Sequence, residues 1–108
     1  PYMLMSDGEL RNGYTVKLRN MESRPRPMEV SIEGLPGGRM WTDDMPRERA
    51  ARALKFDVTA DQTNPLRVYV IAPSGTAPQH FAFRLKALDA EGGGDVSKVR
   101  FDAPGEEE

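Results

Sequence analysis

Apolar and polar residues alternate along most of the chain with a period of two. Tyr14, Val16 and Leu18 are interleaved with Thr15, Lys17 and Arg19, and Met28, Val30 and Ile32 with Glu29, Ser31 and Glu33. Phe56 and Val58 alternate with Lys55, Asp57 and Thr59, Phe81, Phe83 and Leu85 with Ala82, Arg84 and Lys86, and Val99 and Phe101 flank Arg100. One apolar face per run is the mark of a half-buried antiparallel strand. The run Val68, Tyr69, Val70, Ile71 is apolar on both faces and predicts a more central strand. Adding the short stretches "YMLM" and "GRMWT" gives seven or eight strands.

Turn signals separate these runs: Asp7-Gly8, Asn12-Gly13, "GLPGG" at 34–38, Asn64-Pro65, "PSG" at 73–75 and "GGG" at 92–94. Glycine supplies positive φ and proline presets its own, so each is a turn with a mechanism. Strands and turns at this spacing predict an all-β, immunoglobulin-like antiparallel β-sandwich. It is expected over residues 1–104, with 105–108 as a solvated acidic tail. One segment departs from the pattern. By propensity "DDMPRERAARALK" favours a short helix over Pro46–Leu54, and a helix that short needs packing to persist. It is read as a helical turn or an irregular crossover between sheets.

Composition narrows the chemistry. The chain has 108 residues, 15 basic and 17 acidic, for a net charge of −2. That suits one domain, and a weakly acidic balance argues against nucleic acid or an anionic membrane as partner. No basic stripe with interleaved aromatics is visible along the sequence. There is no cysteine, which excludes disulfides, thiolate nucleophiles and cysteine-ligated metal or iron–sulfur centres in this chain. No apolar run approaches the ~20 residues that span a bilayer. Opening on Pro1 suggests an excised piece of a longer protein, with any membrane anchor before it.

No catalytic constellation stands out. His80 is the one histidine and reads as an exposed residue at a strand start. Asp43-Asp44 reads as a turn or an N-cap, since adjacent strand residues face opposite ways. Met3 and Met5 form an M-x-M pair whose soft thioethers suit Cu(I), with His80 as a possible third ligand. An apolar edge strand explains the same methionines without metal, and Met28 falls in phase with a core strand. Trp41 fits either core or surface.

The most distinctive stretch is Ser6–Asn20, "SDGELRNGYTVKLRN". Asp7, Gly8, Arg11, Asn12, Tyr14, Lys17 and Asn20 stand in the order S-D-G-x-[IL]-R-N-x-Y-x-x-K-[IL]-x-N. This resembles the start of the C-terminal domain of the FixG/CcoG-type cytochrome c oxidase accessory proteins. "MEVSIEGLPG", "LRVYVIAP" and "FAFRLKALD" resemble that family's later strands. The resemblance implies an immunoglobulin-like domain on the periplasmic side of the bacterial inner membrane. It implies a membrane-anchored parent with iron–sulfur clusters outside this chain, serving assembly of cbb3-type cytochrome oxidase by supplying reduced copper. The expected partners are proteins of oxidase assembly, and the expected role is a non-catalytic scaffold. A Cu(I)-binding domain and a carbohydrate-binding or adhesion sandwich are the alternatives. The latter is disfavoured by one tryptophan, three tyrosines and four phenylalanines.

The motif also has local readings. Asp7-Gly8 turns the chain, Arg11 and Asn12 bond neighbouring backbone, and Asn12 and Asn20 cap the entry and exit of the strand. Tyr14 buries its ring with its hydroxyl at the rim.

Overall fold

The alternating runs form eight strands, described in a computed structural model over residues 2–60 and 62–105. They are β1 (Met3–Leu4), β2 (Leu10–Asn20), β3 (Arg26–Glu33), β4 (Arg39–Thr42), β5 (Ala53–Val58), β6 (Gln62–Ala72), β7 (Gln79–Ala87) and β8 (Gly94–Phe101). All pairings are antiparallel, in two four-stranded sheets ordered β1-β2-β6-β4 and β5-β3-β7-β8. The expected sandwich and its strand count are as the alternation indicates. Glu106–Glu108, most of the expected acidic tail, lie outside the described residues.

The inner faces supply the core, with Leu10, Leu18, Met28, Val30, Ile32, Met40, Val68, Val70, Phe81, Phe83 and Phe101 all buried. Aromatic edges meet there: Tyr14 stands edge-on to Phe81 and Phe83 at 5.6 and 5.4 Å. Such pairs add roughly 0.5–1.5 kcal/mol each beyond the area they bury.

Two sequence-predicted turns lie within strands. Asn12-Gly13 sits inside β2, which runs unbroken from Leu10 to Asn20. Asn64-Pro65 sits inside β6, opposite Leu18 and Lys17. β4 accompanies β6 only over Val68–Ile71, so no strand of this sheet flanks Pro65 on that side. A missing N–H is tolerated at such a free edge. The turns at 7–8, 34–38, 73–75 and 92–93 form as predicted, with Gly8, Gly34, Gly37, Gly75, Gly92 and Gly93 at positive φ.

The segment expected to be helical holds a single 3-10 turn, Arg47–Arg49, in the crossover from β4 to β5. Ala53 and Leu54 belong to β5 instead. Tertiary bonds override helix propensity here. Ala51 exchanges both backbone bonds with Met40, at 2.9 and 3.0 Å. The Arg52 guanidinium then donates to the carbonyls of Ile32, Gly34, Leu35 and Gly38 at 2.6–3.2 Å. That clamp holds the "GLPGG" loop shut over the fully buried Leu35, which takes a positive φ of 52°. A leucine there costs of order 1 kcal/mol or more of strain, offset by burial and by the bonds its carbonyl accepts.

Candidate functional site

Ser6–Asn20 occupies the β1–β2 hairpin and all of β2, and the pleat divides its residues between two faces. Asp7 makes the turn: its carboxylate accepts the Glu9 N–H at 3.0 Å and the Arg47 guanidinium at 2.6 Å. Both bonds hold the Asp7 carboxyl below the usual range, the backbone N–H contributing most. Gly8 is at φ 90° and closes the hairpin with its N–H on the Met5 carbonyl.

The inward residues tie the two sheets together. Asn12 is buried; its Nδ2 donates to the Asp102 carbonyl at 3.0 Å and its Oδ1 accepts the Asp102 N–H at 2.8 Å. It therefore fastens the chain after β8 to β2, ninety residues away in sequence, rather than capping its own strand. Asn20 does end its strand as expected, accepting the Glu22 N–H at 3.0 Å and donating to the Arg24 carbonyl at 2.7 Å. It also donates across to the Val58 carbonyl on β5 at 3.0 Å. Between them, the Tyr14 hydroxyl donates to the Arg100 carbonyl on β8 at 2.7 Å. Burial pushes that phenol up from its ordinary pKa, with the nearby Asp102 charge adding to the shift, so it stays neutral.

The outward residues do something else. Arg11 bonds no neighbouring backbone; its guanidinium lies over the Tyr69 ring on β6, 5.0 Å from the centroid. Arg67 approaches the same ring at 5.5 Å. It lies across Gly13, where a Cβ would stand 2.3 Å from its terminal nitrogen. Gly13 is thus a notch for a neighbouring side chain, not a turn. Trp41 stacks beside Tyr69 at 5.5 Å and 33° and is itself mostly buried. Lys17 and Arg19 continue the row, both exposed.

Within the strands of this sheet the charge is of one sign. β1, β2, β4 and β6 contain Arg11, Lys17, Arg19, Arg39 and Arg67 and no aspartate or glutamate. Arg39 pairs with Glu9 at 2.5 Å. Arg11, Lys17, Arg19 and Arg67 have no carboxylate partner among the described residues. The other sheet mixes signs, with Glu29, Glu33, Asp57 and Asp95 among its cations and an Arg84–Glu33 pair at 2.5 Å. The basic and aromatic association that looked absent along the sequence is assembled from three strands, and only the pairing register reveals it.

The remaining candidates do not converge. Met3 is half-exposed on the edge strand β1, opposite Arg11, and Met5 lies past the end of that strand. His80 pairs with Arg100 on the outer face of the opposite sheet. Asp44 accepts the Thr42 hydroxyl in a turn. No group of three or more His, Cys, Asp or Glu side chains among the described residues is placed to hold a metal ion. None of their helices is long and apolar enough to cross a membrane.

Residues 1–104 match the family model described as the IG-like fold at the C-terminal of FixG. The nitrogen fixation protein FixG of Rhizobium meliloti is 35% identical over 106 residues, covering 96% of this chain and 20% of that protein. Protein RdxA of Cereibacter sphaeroides is 33% identical over 104 residues, covering 92% of this chain and 21% of RdxA. The chain thus spans about a fifth of the length of these relatives. The N-terminal domain of PorA shares the fold at 13% identity, with a TM-score of 0.54 over 97% of this chain and 84% of that one. The family match over residues 1–104, with the two sheets displaying the fold it describes, shows that the chain belongs to the FixG C-terminal family of immunoglobulin-like domains.

Proposed function

We propose that this domain is a non-catalytic interaction module of a membrane-bound iron–sulfur accessory protein. In this reading the whole protein serves assembly of a cbb3-type cytochrome oxidase by supplying reduced copper, and the domain stands on the periplasmic side of the inner membrane. The observation that carries the proposal is the division of labour along β2. Its inward polar atoms are all bonded, most of them across to the opposite sheet or the chain that follows it, while its outward cations Arg11, Lys17 and Arg19 have no carboxylate partner among the described residues. A scaffold needs a rigid frame and an unengaged face, and β2 supplies both.

The alternatives find less support in the geometry. A copper site from Met3, Met5 and His80 would draw on both outer faces of the sandwich at once. A sugar platform needs broad open aromatic rings, whereas Trp41 is mostly buried, Tyr69 is flanked by two guanidiniums, and Tyr2 beside them is a single exposed ring.

The test is deletion of this domain from the intact parent, followed by capture of oxidase subunits and copper chaperones and by assay of oxidase assembly. Loss of capture with impaired assembly is expected. Unchanged capture and normal assembly would overturn the proposal.

A further inference from the structure

We propose that the outer face of the β1-β2-β6-β4 sheet is the docking surface, and that its occupant is an extended, carboxylate-bearing segment of a partner protein. This deepens the interaction-module reading and rests on it. The cationic row from Arg11 to Arg19 covers eight residue steps of β2, about 27 Å at the usual strand rise. Arg67 widens it on the next strand. A guanidinium offers a planar fork that grips a carboxylate through two bonds. Stacked on Tyr69, the forks of Arg11 and Arg67 are held in place before any partner arrives, which lowers the ordering cost of binding. Beside them, Tyr2, Met3, Arg11, Gly13, Arg67 and Tyr69 line a shallow cleft of about 210 Å³. Tyr2 and Met3 are exposed there, so the cleft offers apolar contact next to positive charge. An extended segment with acidic side chains on one side and a small apolar side chain for the cleft fits both features.

Charge complementarity also separates this occupant from other anions. The cations of β2 form a single row rather than a broad patch, and a row matches one extended segment laid along β2 better than the wide plane of an anionic bilayer, whose field reaches only about a Debye length. A single-stranded nucleic acid would stack its bases on free aromatic faces. Here Trp41 is mostly buried and Tyr69 carries two guanidiniums, so among the described residues Tyr2 offers a lone exposed ring rather than the series of rings that successive bases need.

Fluorescence anisotropy of a labelled eight-residue peptide alternating glutamate and valine, titrated with the chain at low salt, tests the assignment. Its glutamine–valine counterpart is the reference. Saturable binding of the glutamate peptide alone is expected, about tenfold weaker with Arg11→Gln plus Arg67→Gln and unchanged with Lys86→Gln plus Lys98→Gln on the opposite sheet. Should the first variant fail to fold by circular dichroism, Lys17→Gln plus Arg19→Gln gives the same reading from exposed positions. Equal binding of the two peptides, no binding, or binding indifferent to these arginines and lysines overturns the assignment. So does cosedimentation with phosphatidylglycerol vesicles that the same substitutions abolish, which would make the face a membrane contact. Peptide failure with domain-dependent capture of oxidase subunits intact overturns this surface alone. Failure of that capture overturns the reading beneath it.

Discussion

Strand β2 presents two sides made from one sequence motif, and they are built to opposite rules. The inward side, Asn12, Tyr14 and Asn20, has each polar atom satisfied by backbone from β5, β8 or the adjoining chain. The outward side, Arg11, Lys17 and Arg19, carries charge that no carboxylate among the described residues answers. Burial explains the difference. An unpaired amide inside a sandwich costs about 1–3 kcal/mol, so inward polar groups are held in fixed geometry. A solvated cation costs little to leave without a counter-charge, so the outward ones can stay unanswered even where, as at Arg11, a neighbouring ring fixes the guanidinium. Stability should therefore track the inward side and binding the outward side, and substitutions can separate the two.

Asn20→Ala should do the most damage. It strips a fully buried side chain of three bonds and orphans the Val58 and Arg24 carbonyls and the Glu22 N–H. A loss of about 3 kcal/mol is expected by urea denaturation. Asn12→Ala removes the two-way tie to Asp102 and should cost about 2 kcal/mol, with the chain after β8 losing hydrogen-exchange protection first. Neither asparagine touches the cationic face, so at temperatures where these variants stay folded, peptide affinity should be that of the parent. Tyr14→Phe keeps the ring and its edge-on contacts while losing one bond to Arg100, for about 1 kcal/mol. An Asn20→Ala variant as stable as the parent would undo the account of the inward side.

Acid probes a third anchor, at the end of the sandwich where β3 meets the β7–β8 loop. The bidentate Arg26 fork holds the Asp89 carboxyl far below its ordinary value, with Arg24 and the Gly92 N–H assisting. A carboxyl depressed in the folded state contributes stability that is present above its unfolded value near 3.9. That contribution is lost as pH falls from there toward the folded value. The melting temperature should thus fall as pH drops below about 4. Asp89→Asn should be less stable at neutral pH and flatter in acid. A variant with an undiminished acid slope would assign that slope to other carboxylates.

How far this was legible in the sequence follows from the range of each interaction. Alternation is local, so the strands, the sandwich and the in-phase core at Met28, Val30 and Ile32 could be read directly. Asn12-Gly13 could not, because the reasons for both residues lie elsewhere: Asp102 is ninety positions away and Arg67 is on another strand. The Arg52 clamp was hidden for the same reason, since its four carbonyls come from residues 32–38. The cationic face left one trace in the sequence. Arg11, Lys17 and Arg19 alternate without an intervening acid, but whether that row meets Arg67 and Tyr69 depends on the β2–β6 register.

Gly13→Ala is the smallest expected change in stability and the sharpest cut between the two sides. An added Cβ would meet the end of the Arg67 side chain at 2.3 Å, and a flexible tip moves away cheaply. Alanine also restricts the unfolded chain more than glycine does, an opposing gain of about 0.4–1 kcal/mol. The two effects should leave the denaturation midpoint within about 0.5 kcal/mol of the parent. The displaced guanidinium, however, no longer lies across the strand against Tyr69, so the preorganised fork is lost. Affinity for the glutamate–valine peptide should fall, by less than Arg67→Gln takes it because the charge remains, while the melting curve hardly moves. Unaltered affinity with Arg67 displaced would show that the stacked geometry is incidental, and that charge alone, without its placement over Tyr69, governs the outward side of β2.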